Sequence, residues 1–287
     1  MATKKVKGSG TGKVELPTAT ESNAAADSKA QMLCTALMIV FGIMLLAGVG
    51  FSLAQLYQSI VVKVDVLGIF FGAAGLIVSV LLGRALLWLT FLLPILYASK
   101  MNAWKAEEAL SKKALGLRKI IPTAGSTAAV MLMQGYIKRG DFDRALAFGE
   151  EQFQQNENDK KYLQALAPVF SGVALACQTK ANWKDSITWN ERAITAFEGI
   201  QTEMTAKKGL LQRFAAQQDA QVSGSVKTQL ALSTFSNANS YFNLRNFRTA
   251  KELYKKAIDL SMQAPDSPEK AEIMRVSKEQ LTRLKHQ

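Results

Sequence analysis

The side chains that most often perform nucleophilic, general-base and metal chemistry are scarce in this chain. There is one histidine, His286, and two cysteines, Cys34 and Cys177. A single histidine supplies neither a clustered-histidine zinc site nor a Ser-His-Asp set. Cys34 opens an apolar run and Cys177 sits at a helix-packing position, which predicts no disulfide framework and an inert Cys177. The acidic pairs Glu107-Glu108 and Glu150-Glu151 fall in helical stretches, where a solvated face accounts for them. Gly8-Ser9-Gly10-Thr11-Gly12-Lys13 has the look of a phosphate loop. However, Lys7 stands where the first glycine belongs, Val14 follows Lys13, and no strand precedes. The expectation is a chain that is not an enzyme and carries no cofactor and no metal.

The elements that would position any function divide sharply. The net charge is +12 and the mean hydropathy +0.04, yet the charge is unevenly placed. Residues 1–30 are rich in Lys, Gly, Ser and Thr and read as a disordered basic tail. No charged residue falls between Lys29 and Lys63, and only Arg84 between Asp65 and Lys100. Residues 31–99 therefore read as a two-helix transmembrane anchor, since about 20 apolar residues cross a bilayer. The second apolar stretch, residues 66–98, would reach about 50 Å as one helix, longer than one hydrocarbon core. One placement spans residues 67–88 with Arg84 snorkelling, and leaves 89–98 at the membrane surface or as a helix kinked at Pro94. The other centres on residues 77–97 and buries Arg84.

A cleaved leader ending near Ser52-Leu53-Ala54 is the rival reading, but the apolar run is too long for an ordinary signal core. Basic residues set the orientation. Lys4, Lys5, Lys7, Lys13 and Lys29 precede the first span, and Lys100, Lys105, Lys112, Lys113, Arg118 and Lys119 follow the second. The connector holds only Lys63, so both termini are expected in the cytoplasm, with the connector outside. The basic cluster from Lys100 to Lys119 is expected to meet anionic lipid headgroups. No run is dense enough for nucleic acid. Gly68, Gly72, Gly75, Ser79 and Gly83 form small-xxx-small ladders on the second span. They would pack it on the first span or on a second copy, or reflect only the abundance of glycine in membrane helices.

From Asn102 onward the composition favours helix, and no strand alternation is sustained. Residues 100–125 read as a juxtamembrane helix and linker. Beyond them one offset pattern recurs: Tyr136, Phe142 and Ala145; Cys177, Trp183 and Ser186; Tyr241, Phe247 and Ala250. Each copy has a turn between its first two markers. The spacing predicts helix pairs, with a small residue where the helices cross and an aromatic sealing the turn. This resembles the tetratricopeptide repeat (TPR), a unit of about 34 residues. The copies lie at 126–159, 167–200 and 231–264. Gly149 and Gln152 in the first copy, and Cys177 and Asn190 in the second, depart from the motif. An insertion at 201–230 reads as lengthened helices around a loop near residues 221–225, with helical spacing at Met204, Leu211 and Phe214. Residues 265–287, with Ser267-Pro268 as a helix start, read as a C-terminal capping helix that covers the last repeat through Ile273, Val276, Leu281 and Leu284. The predicted fold is all-α: a transmembrane helical hairpin followed by a TPR-like α-solenoid.

The resemblance implies a protein or peptide ligand in a concave groove lined by the first helix of each pair. Matched to the motif, the partner-binding candidates are Gln134, Lys138, Gln178, Phe235, Asn239, Phe242 and Asn243, with Val130, Ile137, Ser171 and Leu175 on the same faces. Asn239 is expected to serve binding without serving the fold. Thr127 and Val130 stand where a carboxylate-clamp lysine would be, which disfavours that form of recognition. The layout, with the short Val61-Val62-Lys63-Val64-Asp65 connector, also resembles the bacterial HemY-like envelope proteins. The expected function is a membrane-anchored interaction scaffold in a bacterial cytoplasmic membrane. The alternative is an envelope-biogenesis factor assisting a membrane enzyme complex.

Overall fold

The computed structural model describes residues 22–62, 66–206 and 212–285. It is all-α. Helix α1 spans Ala24–Tyr57 and continues through a π-helical turn at Gln58–Val62; α2 spans Val66–Lys100. Both are long and apolar enough to cross a membrane. The rest is a run of helices: α3 Trp104–Gly116, α4 Pro122–Lys138, α5 Phe142–Gln154, α6 Lys160–Ala165 and α7 Ala167–Thr179. They continue with α8 Trp183–Ala206, α9 Gln212–Asn243, α10 Phe247–Gln263 and α11 Pro268–Arg283.

The hairpin zips through its small residues. A side chain on Gly72 or Gly83 would come within 2.6 Å of Leu56 or Leu45 atoms, and one on Gly75 within 2.8 Å of the Ser52 hydroxyl. Gly48 faces Ser79 in the same way. Gly72, Gly75, Ser79 and Gly83 therefore pack span two on span one. Of the two packings expected for the ladder, the one on the first span is seen within this chain.

The pairs α4–α5, α7–α8 and α9–α10 share one turn. Gly140, Ala181 and Arg245 all adopt positive φ, at 69°, 56° and 59°. The next residue closes the turn in each: the amides of Asp141, Asn182 and Asn246 donate to the carbonyls of Tyr136, Cys177 and Tyr241. The same three side chains then cap the following helix, accepting from the amides of Arg144, Asp185 and Thr249. Ala145, Ser186 and Ala250 are all fully buried at the crossings. Gly140 suits its conformation, whereas Ala181 and Arg245 hold theirs against a steric cost of about 1–2 kcal/mol.

A fourth pair of this kind was not expected. Asn102 has φ 54°, and the amide of Ala103 donates to the carbonyl of Ala98, so α2 and α3 meet through the same turn. The last part of α2 is the first helix of the stack. Thr90, Phe91, Pro94, Ile95 and Ala98 are buried, packed on Ala26, Ala30 and Cys34 of α1 and on α3. Residues 89–98 are thus covered by protein on one side, with Leu93 and Leu96 left exposed on the other, and the helix continues through Pro94.

Ala103 has no capping side chain, and its role is taken from outside the pair. Asp27 of α1 accepts the Ala106 amide at 2.8 Å, and the Ser22 hydroxyl accepts the Lys105 amide at 3.2 Å. Residues 24–30 are thus helical and docked, which shortens the expected disordered tail; residues 1–21 lie outside the described residues. Asp27→Ala is expected to cost about 0.5–2 kcal/mol, as loss of a cap does. The check is amide exchange in the membrane-embedded protein: Lys105 and Ala106 should exchange faster while amides in α10 do not change.

Towards the C-terminus, residues 221–225 are helical within α9, so the expected loop there is wrong. Residues 207–211, including Leu211, lie outside the described residues. Met204 packs on the central core as its spacing predicted. Helix α11 is capped by Ser267 and covers the last pair through Ile273 and Leu284, with Leu281 beside them. Val276, expected in the same contact, is half-buried and outside both clusters.

Candidate functional site

Stacking the pairs brings the first helices α4, α7 and α9 side by side. Between them lies a groove of about 410 Å³, bordered by Gln134 and Lys138 of α4, Leu175 and Gln178 of α7, and Phe235 and Asn239 of α9. Its lining adds Met133, Pro168, Gly172, Leu232 and the small polar residues Ser171, Ser233 and Ser236. Five of the seven partner-binding candidates therefore line one depression.

The groove is held shut at its base by a seam of short polar side chains. Ser171 and Ser233 hydroxyls lie 3.0 Å apart, and those of Ser186 and Ser240 lie 2.9 Å apart. The Gln178 amide donates to the Ser236 carbonyl at 2.7 Å, within reach of the Ser236 and Ser240 hydroxyls at 2.9 Å. Short side chains let α7 and α9 approach, and their hydrogen bonds fix the register. Gln178 thus ties two repeats together as well as facing the groove.

The remaining candidates separate. Asn239 lines the groove, but its Oδ1 accepts the buried Tyr254 hydroxyl at 2.7 Å, so the expectation that it serves binding alone is corrected. Phe235 presents one face to the groove and packs against Tyr254 at 6.0 Å between ring centroids. Phe242 is not at the groove: it packs on Phe247, 5.6 Å away, at the α9–α10 junction. Asn243 is exposed outside the groove and donates to the Asn239 carbonyl of its own helix. Val130 packs against the central core. The spacing puts 235, 239, 242 and 243 on one broad face, but Phe247 of α10 covers Phe242.

Several lining residues were missed. Leu232 and Ser236 precede Asn239 on the same stripe of α9, and that spacing was legible. Gly172 was not, because its role is to admit Met133, whose Cγ would lie 2.5 Å from an added side chain. Lys138 is the charged residue of the lining, and no carboxylate lines the groove with it. The depression is thus apolar at its base and positive at one end. Among the described residues no group of three or more His, Cys, Asp or Glu side chains could hold a metal. Burial pushes the Cys177 thiol up to about 11, so it holds almost no thiolate near neutrality. His286 lies outside the described residues.

No family model matches this chain, and no curated protein matches it. Among solved structures, it is similar to a crystal structure of BtubC (BKLC) from P. vanneervenii, with 11% identity, 83% of this chain and 94% of that chain covered, and a TM-score of 0.33.

Proposed function

We propose that this chain is a membrane-anchored interaction scaffold whose groove takes an extended protein segment. The groove at α4, α7 and α9 carries this reading. A volume of about 410 Å³ accommodates one or two apolar side chains. The amides of Gln134 and Asn239 stand where a peptide backbone would need partners. Lys138, the charged residue of the lining, has the Glu107 carboxyl near it outside the groove and still favours a segment with an acidic residue beside its apolar anchor. The repeated turns and caps support membership of the TPR class of solenoids. The basic flanks of the hairpin support a cytoplasmic placement of the repeats by the positive-inside rule.

Leu175 is exposed on the rim, so a photoreactive side chain there is tolerated and reports what enters. Irradiation in native membranes is expected to couple position 175 to a protein segment with an apolar anchor and an acidic neighbour. Leu232→Glu, which puts a carboxylate in place of a partly exposed apolar side chain of the lining, should lower that yield about tenfold, the effect of losing one apolar contact. Coupling to lipid alone, or coupling that survives Leu232→Glu, would overturn the reading.

A further inference from the structure

The two spans enter the soluble domain differently. Opposed residues along the hairpin follow one register, Gly72 with Leu56, Gly75 with Ser52 and Gly83 with Leu45. Extended towards the domain, the register sets Arg84 level with residues 43–44 of α1 and Lys100 level with residues 27–28, beside Lys29. At Arg84 one side of the hairpin stops being lipid-like. The Arg84 guanidinium donates to the carbonyl of Ile120, and beyond it Thr90, Phe91 and Ile95 are covered by protein.

The other side stays apolar and open for about another 18 Å, counted at 1.5 Å per residue. On α1, Met32 is 68% exposed, Ile39 59% and Ile43 62%; on α2, Leu93 and Leu96 are 43% and 47% exposed. This face is continuous with the span and ends at one level on both helices, where Lys29 and Lys100 begin. Paired lysines at the end of an apolar face place their stems on hydrocarbon and their ammonium groups among phosphates.

We infer that the occupant of this face is the bilayer itself, and that the hairpin lies steeply tilted. Its open side is immersed as far as Lys29 and Lys100, and its protein-covered side only as far as Arg84. A hairpin standing upright at Arg84 would leave Met32, Ile39, Ile43, Leu93 and Leu96 in water. Upright at Lys29 and Lys100, it would draw Arg84 and the start of α4 into hydrocarbon. Tilt satisfies both boundaries, and it exceeds the average of about 20° for membrane helices. The repeat domain is then held against the headgroups by the α1 side instead of standing off on a stalk.

The inference rests on reading the hairpin as membrane-spanning, and the test separates the two. Single cysteines at Met32, Ile39, Phe51 and Leu81, all exposed positions, are spin-labelled in the full chain, since Cys34 and Cys177 are buried. The protein is reconstituted in phosphatidylcholine vesicles containing phosphatidylglycerol. Collision with oxygen is compared with collision with a water-soluble nickel chelate. All four labels should favour oxygen several-fold, with Met32 the shallowest, and Lys29→Glu with Lys100→Glu should move Met32 towards the chelate. Oxygen at Phe51 and Leu81 but chelate at Met32 and Ile39 would overturn the tilt and leave the anchor intact. Chelate at all four would overturn the anchor as well. Protection of Met32 and Ile39 from both reagents would mean a second copy covers the face, which also overturns the inference.

Discussion

Gly149→Tyr is expected to collapse the junction between the first two repeat pairs, although it restores the residue type that the third copy carries there. Gly149, Asn190 and Tyr254 are counterparts, each seven positions after the aromatic that opens its helix. In the third copy the site accepts a full ring. In the first, a β-carbon alone would come within 2.1 Å of Val173 Cγ2, and Val173 is fully buried on α7. Helices α5 and α7 cross closely because position 149 is empty. Gly149→Ala should cost about 1–3 kcal/mol by overpacking. Gly149→Tyr should exceed about 3 kcal/mol, a large share of a typical domain's stability of about 5–15 kcal/mol. Thermal unfolding of the detergent-solubilised chain checks both. Val173→Ala should return much of the loss in the Gly149→Ala background and none in Gly149→Tyr. A Gly149→Tyr chain as stable as the parent would show that α7 can shift freely.

The same pair of residues shows where the sequence was legible. The offsets Tyr136–Phe142–Ala145, Cys177–Trp183–Ser186 and Tyr241–Phe247–Ala250 announced three helix pairs because each marker performs one local task that leaves a fixed residue type. The pair formed by α2 and α3 escaped. Its turn residue Asn102 and sealing aromatic Trp104 obey the pattern, but Glu107 occupies the crossing where a small residue was expected. Glu107 fits because Gly135 leaves room on α4, and burial raises its carboxyl above the usual range. Its cap is invisible locally because Asp27 lies on another helix. The groove was legible where one helix carries it, as at Gln134, Lys138 and Gln178. It was misread at Phe242, since a periodic pattern gives the face of a helix but not the place where a neighbour covers it. Asn239 was half-read for the same reason: its partner Tyr254 is on the facing helix.

Tyr254→Ala is expected to be the most damaging truncation in the last pair. Tyr254 is fully buried, with Ala238, Ala250 and Leu284 around its ring and Phe235 against its face. Removing an aromatic from such a site costs about 3–5 kcal/mol. Tyr254→Phe keeps the ring and loses one buried hydrogen bond, so it should cost only about 1 kcal/mol, and Asn239→Ala, which strands the hydroxyl, about 1–3 kcal/mol. The hydroxyl also gives a pH signature. Burial pushes Tyr254 up to about 12, from an ordinary value of 10.0. A folded value above the unfolded one means that stability is complete below the unfolded value and falls as pH rises towards the folded one, by about 1.4 kcal/mol per pH unit. Cys177, up to about 11 from 9.0, starts the same decline one unit earlier. Melting temperatures across the alkaline range should therefore drop first through Cys177 and then through Tyr254 together with Tyr136, Tyr162 and Tyr241, whose hydroxyls burial also raises. In Tyr254→Phe the upper part of that slope should become shallower, by the share of one tyrosine, while the lower part persists. An unchanged slope in Tyr254→Phe would show that the hydroxyl reaches water, and that Phe235 and Asn239 do not close over it.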